Sequence, residues 1–142
     1  MGADSLIEWT DATWTPIRGT TGRWHCVKVS PACKNCYSER MNVRLGGPRF
    51  TKGADTLRLD EKLLLDPLRW KRPRRIFVCS MTALFMDEVP DEWSLRMFTV
   101  MRAAARHTFQ LLTKRAERMT DFMRRLAWRT ATPQEPAVRL LE

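Results

Sequence analysis

The stretch RIFVCSM, residues 75 to 81, has the pattern of a strand that is buried on both faces. Its apolar residues, Ile76 to Cys79, follow one another without the alternation that a half-exposed strand shows. Continuous apolar runs of this kind are typical of parallel sheets, because helices cover both faces of such sheets. The stretch therefore predicts an α/β fold.

Helical and extended patterns alternate on both sides of this strand. Such alternation implies parallel strands joined by right-handed crossovers, as in an α/β layer or barrel. The predicted elements are an extended start at 5–17 with Trp9 and Trp14 buried, a helix within 35–45, helical turns at 60–70 with Asp60 as N-cap, the strand at 76–79, a helix at 91–107, a strand at 108–115 and a helix at 116–128.

The domain and its surroundings are predicted from the chain as a whole. We expect residues 1–128 to form one α/β unit and residues 129–142, RTATPQEPAVRLLE, to be a poorly ordered or divergent tail, since this segment has two prolines and no clear period. No apolar run approaches the roughly 20 residues needed to cross a bilayer, and the first residues lack a signal-peptide pattern. We therefore expect a cytoplasmic protein with no membrane contact.

Three strand ends are predicted to meet at one edge of the sheet. In parallel sheets the loops that leave the carboxyl ends converge, and binding sites form there. The loops in question are the cysteine-rich segment after the first strand, residues 80–82 after the second and residues 113–115 after the third. Candidate polar contacts to a bound molecule are Ser80, Thr82, Lys114 and Arg115.

The segment HCVKVSPACKNCYSER, residues 25 to 40, holds three of the four cysteines of the chain. In a reducing compartment a cluster of thiols more often binds a metal or a redox group than forms disulfides. Structural zinc needs four protein ligands, for which His25 and Cys79 are the candidates beside Cys26, Cys33 and Cys36. An iron-sulfur cluster accepts three thiolates and leaves one iron open.

Tyr37 follows the last cysteine of this segment directly. It is predicted either to shield a bound group from solvent or to be an ordinary residue of an amphipathic helix. The two interpretations stay open at this point.

The net charge of +9 favours a polyanionic partner. Basic residues concentrate in RWKRPRR, residues 69 to 75, and in TKRAERMTDFMRR, residues 113 to 125. These stretches predict either contact with nucleic acid or merely solvated helix faces and helix ends.

Four segments closely resemble the three-cysteine-motif family of phage and prophage proteins, which is of unknown function and radical-SAM-like. They are IEWTDATWTP, GRWHCVKVSPACKNCYSERM, IFVCSMTALFMDEVPDEW and HTFQLLTKRAERM, in the same order along residues 7 to 126. The sequence departs from the family at Ala83, where an acid is usual, at Ala32, where glycine is usual, and at Ala116, where proline is usual. Family members also continue into further strands after the ERM segment.

The resemblance implies a [4Fe-4S] cluster on Cys26, Cys33 and Cys36, with S-adenosylmethionine at the open iron. It implies a partial, truncated TIM-barrel-like fold of βα repeats and a separate three-Cys-motif partner protein. If the protein is an enzyme, one electron from the reduced cluster cleaves S-adenosylmethionine and the resulting radical abstracts hydrogen from a substrate. The alternatives are a non-catalytic, metal-stabilised module, with zinc in place of iron, that binds nucleic acid or a partner, and an inactive truncated remnant.

Overall fold

The apolar stretch at residues 75 to 78 forms the central strand of a three-stranded parallel sheet. The computed structural model describes residues 5–131. The strands are β1 (Ala12–Trp14), β2 (Ile17–Gly19), β3 (Leu57–Leu59), β4 (Arg75–Val78) and β5 (Thr108–Leu111). The helices are α1 (Tyr37–Arg44), α2 (Glu61–Leu64), α3 (Asp66–Arg69), α4 (Asp91–Ala103) and α5 (Ala116–Ala131), with a 3₁₀ turn at Pro31–Cys33.

The parallel sheet has the strand order β1-β4-β5. Ala12 pairs with Ile76, and Ile76 pairs in turn with Phe109, so the three strands run side by side in one direction. Strands β2 and β3 form a separate antiparallel pair. The predicted α/β class with parallel strands is confirmed, and the described residues do not close into a barrel.

Both faces of β4 are covered, which is why its sequence does not alternate. Ile76 and Val78 are fully buried, and helix α4 contributes Met97 and Val100 to the same core. Helix α5 adds Phe122, whose ring lies 5.7 Å from that of Phe85 and 5.4 Å from that of Phe98. Burial of each large apolar side chain contributes about 1.5–3 kcal/mol.

Capping residues fix two of the predicted helix boundaries. The carboxylate of Asp60 accepts a hydrogen bond from the backbone N–H of Leu63 at 3.1 Å, which confirms it as the N-cap of α2. Gly46 follows α1 with a φ of 81°, a left-handed conformation that ends a helix at little cost when the residue is glycine.

Three details of the sequence prediction are wrong. Trp9 is 42% exposed, because it precedes the strand and lies on the surface against Phe77, with ring centroids 4.8 Å apart. The extended start is shorter than predicted, since β1 spans only Ala12–Trp14. Cys79 does not lie inside β4; it follows the strand, in the left-handed region with a φ of 52°.

The predicted tail at 129–142 lies mostly outside the described residues. Residues 129–131 continue α5, and residues 132–142 are not described. Within residues 5–131 no helix combines the length and the apolar character needed to cross a membrane.

Candidate cysteine-rich site

The loop after β4 meets helix α1 at the carboxyl edge of the sheet. The backbone carbonyl of Ser80 accepts a hydrogen bond from the Tyr37 hydroxyl at 3.0 Å and another from the Ser38 hydroxyl at 2.9 Å. The Thr82 hydroxyl donates to the carbonyl oxygen of His25. The start of α1 and the start of the cysteine segment are therefore both anchored to the loop after β4.

The loop after β5 meets the same segment through two cations. Lys114 Nζ lies 3.7 Å from Cys33 Sγ. The guanidinium of Arg115 donates to the Val27 carbonyl at 2.6 Å and also interacts with the Cys26 thiol. The three loops thus meet at one edge of the sheet, as the topology predicts.

The surroundings of Cys33 favour its thiolate. Burial raises the pKa of its thiol, but backbone hydrogen bonds from Val29 and Ser30, the Ser30 hydroxyl and the Lys114 ammonium together lower the pKa to about 7. This thiol therefore loses its proton more readily than an ordinary cysteine. Thiolates, rather than thiols, bind metals and act as nucleophiles.

Cys26, which is half-buried, and Cys79, which is buried, are thiols whose pKa is raised. Burial raises the pKa of Cys26, while the charge of Arg115 opposes that shift. Burial and the neighbouring Cys26 raise the pKa of Cys79. Cys36 packs with Cys26 against a second apolar cluster that contains Phe50. Cys79 therefore belongs to the apolar core, as the buried strand pattern predicts, and also lies near Cys26, one of the predicted ligands.

The thiols of Cys26, Cys33 and Cys36 are the donor set that this segment offers to a bound group. In residues 5–131 no three Cys, His, Asp or Glu side chains are arranged to hold one metal ion. Cys33 contacts Ser30 and Lys114, and Cys26 and Cys36 pack against the cluster that contains Phe50. Each thiolate of an iron-sulfur cluster binds a different iron, so such ligands need not converge on one point.

His25 is the remaining candidate for a zinc ligand. Its ring is buried and packs edge-on against Phe50, with centroids 6.4 Å apart. Its Nδ1 and the Nε1 of the adjacent Trp24 have no hydrogen-bond partner within the described part of the chain. Buried polar atoms of this kind are often satisfied by a water or a bound group.

The comparison with protein families covers almost the whole chain. A family model described as "Protein of unknown function (DUF5131)" matches residues 4–138. The chain belongs to the DUF5131 family. No curated protein and no solved structure matches it. The cysteine segment and all three strand ends lie inside the region that the DUF5131 match covers.

The site of this DUF5131 protein also depends on polar residues that the sequence did not single out. Asn42 of α1 is fully buried. Its Oδ1 accepts from the Trp24 N–H at 3.1 Å, and its Nδ2 donates to the Trp24 carbonyl at 2.9 Å and to the Pro48 carbonyl at 2.8 Å. Gly47 leaves the room this side chain needs, because a Cβ there would lie 2.5 Å from Asn42 Nδ2.

Glu39 performs a similar task on the same face of α1. Its Oε2 lies 2.7 Å from Lys28 Nζ, and its Oε1 accepts from the Phe50 N–H at 3.0 Å. The hydrogen bond from Lys28 lowers the pKa of Glu39; burial opposes that shift, and the Phe50 N–H supports it. The sequence does show polar residues at positions 38, 39 and 42, which lie on one face of the helix. The rule that the apolar face of a helix is buried, however, predicts that the opposite face is the buried one.

Glu39→Gln is expected to destabilise the protein by about 1–2 kcal/mol at pH 7, because a charged hydrogen-bond partner of Lys28 is lost. Since folding lowers the pKa of Glu39, its contribution is complete above the unfolded value of about 4.5 and is lost as the pH falls through the folded pKa. Urea unfolding at pH 7 and at pH 3 measures this difference. The exposed Glu88→Gln is the control, and an equal effect of both variants at pH 7 would contradict the role of Glu39.

Proposed function

We propose that this DUF5131 protein binds a [4Fe-4S] cluster through Cys26, Cys33 and Cys36 and takes S-adenosylmethionine at the remaining iron. The resemblance to the phage and prophage three-cysteine-motif family supports this function. The observation that carries it is the contact between Lys114 and Cys33, since it brings the loop after the third parallel strand to the three-thiol segment. When bound, such a cluster would supply single-electron chemistry to a sulfonium ligand.

The residues of the chain have separate tasks in this proposal. Lys114 and Arg115 place positive charge beside Cys33 and Cys26 and so favour the thiolates that bind iron. Tyr37 fixes the start of α1 against the Ser80 carbonyl, so these two are positioning residues. The Thr82 hydroxyl holds the carbonyl of His25 and is engaged within the protein rather than turned to a ligand.

The strand order supports the finer proposal of a radical-SAM-like partial barrel. Strands β1, β4 and β5 are adjacent in space in the order in which they follow one another along the chain. Successive parallel strands placed side by side are the arrangement of the units of a βα barrel. We propose in addition a phage or prophage origin and a separate partner protein, on the resemblance alone.

Metal analysis after anaerobic reconstitution tests the function. We expect about four irons and four sulfides for each chain, as a [4Fe-4S] cluster requires. We also expect an electron paramagnetic resonance spectrum of the reduced protein that changes when S-adenosylmethionine is added. Stoichiometric zinc without iron contradicts the proposal. If the spectrum of the cluster does not change when S-adenosylmethionine is added, the cluster serves electron transfer or has a structural role.

Lys114→Met is expected to lower the reduction potential of the reconstituted cluster. The ammonium of Lys114 lies beside Cys33 Sγ and stabilises negative charge there, and reduction adds one more negative charge. A potentiometric titration monitored by electron paramagnetic resonance measures the shift. Lys114→Arg keeps the charge and is expected to restore most of the potential, while Lys62→Met changes an exposed lysine of α2 and leaves the potential unaltered. Equal potentials in all variants would contradict the role of Lys114.

A further inference from the structure

Helix α1 packs its polar face inward and its apolar residues outward. Ser38, Glu39 and Asn42 are buried. Tyr37 and Met41, on the opposite face, are 46% and 47% exposed. A surface helix normally has the reverse arrangement. Exposed apolar side chains grouped in this way mark a contact surface.

The same face and the loop after it carry positive charge that the protein does not neutralise. Glu39 is the only acid of α1, and it is already paired with Lys28. Four cations in and around the helix form no ion pair with any described residue. They are Lys34, Arg40, Arg44 and Lys52, whereas the charge of Arg49 acts on Glu39.

The basic stretches at 69–75 and 113–125 are different, because at least half of their cations are already paired. The Arg75 guanidinium lies 2.9 Å from Asp11. Arg125 lies 2.6 Å from Asp91. The ion-paired cations of the two stretches are Arg69, Arg75, Arg118, Arg124 and Arg125. Free positive charge is therefore also present at α1, outside the stretches that the sequence favoured.

We propose that the outer face of α1 and the loop after it bind single-stranded nucleic acid. The cations, Arg40 and Arg44 among them, would contact phosphates, and the Tyr37 ring offers a flat face for a base. The eight residues of α1 span about 12 Å, the length of three to four stacked nucleotides.

A single strand fits this surface better than a duplex. A duplex hides the faces of its bases, so it would leave Tyr37 and Met41 without partners. A single strand exposes its bases and its phosphates together, and Arg40 and Arg44 lie on the outer face of α1 beside Tyr37. Tyr37 also donates to the Ser80 carbonyl, so a strand on α1 would pass beside the cysteine-rich site. Arg40 and Arg44 take no part in the proposed cluster site, so binding at α1 can be tested in the protein without a cluster.

Fluorescence anisotropy with a labelled 12-nucleotide oligothymidylate and the full chain tests the proposal. The double variant Arg40→Glu/Arg44→Glu is expected to bind at least tenfold more weakly. Lys71→Glu/Arg72→Glu, which reverses two exposed cations away from α1, is expected to bind with an affinity within twofold of that of the unchanged protein.

The salt dependence of binding gives a second test. With Arg40→Gln/Arg44→Gln, the slope of log affinity against log salt should fall by about 1.4, which corresponds to two lost phosphate contacts. All four side chains are exposed, so circular dichroism and thermal melting should be unaffected.

A pair of variants at Tyr37 separates stacking from charge. Tyr37→Phe and Tyr37→Ala both lose the hydrogen bond to Ser80, but only the phenylalanine keeps a ring. We expect Tyr37→Ala to bind several-fold more weakly than Tyr37→Phe, with the same salt slope. Equal loss in the α1 and control variants overturns the proposal. Tighter binding of the matching duplex, or displacement of the strand by polyglutamate at equal charge, also overturns it, and the latter would indicate an acidic protein partner.

Discussion

Replacement of Cys26 by alanine is expected to abolish assembly of the iron-sulfur cluster, whereas Cys79→Ala is expected to retain it. Cys26 belongs to the three-thiol segment and interacts with Arg115, whose charge favours the thiolate. The thiol of Cys79 is fully buried in the apolar core beside it, and burial raises its pKa. Iron and sulfide content and visible absorption after anaerobic reconstitution measure the difference.

Thermal melting of both apo variants provides the control for folding. Alanine at position 79 inherits the same φ of 52° and therefore the same backbone strain, so only the thiol is removed. Loss of the cluster in both variants would identify Cys79 as a ligand. Retention of the cluster in Cys26→Ala would refute the proposed ligand set.

Asn42→Ala is expected to lower the free energy of unfolding by about 2–4 kcal/mol, because several buried polar groups lose their partners together. The backbone N–H and carbonyl of Trp24 and the carbonyl of Pro48 are all bound by this one side chain. Trp24 comes two residues before Cys26, so we also expect cluster assembly to be slower. Urea unfolding of the apo protein measures the stability.

Two further variants sharpen this test. Asn42→Asp preserves the shape of the side chain but cannot donate to the two carbonyls, so we expect it to be at least as destabilising. Met41 lies on the exposed face of the same helix. Met41→Ala is therefore expected to change the free energy of unfolding by less than about 0.5 kcal/mol. An Asn42→Ala variant as stable as Met41→Ala would show that the three hydrogen bonds contribute nothing.

The parallel sheet was predictable because a strand that is buried on both faces has a continuous run of apolar residues in its sequence. The run at residues 76 to 78, the helical spacing of Met97 and Val100 and the cap at Asp60 each depend on neighbours within one or two turns. Parallel topology then places all the strand ends at one edge. The meeting of residues 80–82 and 113–115 with the cysteine segment followed from that geometry.

Helix α1 was located from its sequence, but its orientation was not. Its buried side chains are polar, because they satisfy the backbone of loops that are distant in sequence, such as the Phe50 N–H and the Trp24 carbonyl. Hydrophobic periodicity within the helix cannot predict these hydrogen-bond partners, because they lie in other parts of the chain. The position of Cys79 beside Cys26 likewise depends on a left-handed turn after β4, which the apolar run conceals.

The sequence by itself determined the order of the three parallel strands and of the helices that follow them, the edge at which the loops meet and the thiols available there, but not the antiparallel pair of β2 and β3. Apolar burial repeats at short, regular intervals and can be recognised without knowing the partner. The tertiary structure alone decided which thiol is acidic, which cations are already neutralised and which face of α1 is open. Those properties depend on single contacts between distant residues, such as Lys114 with Cys33 and Arg75 with Asp11.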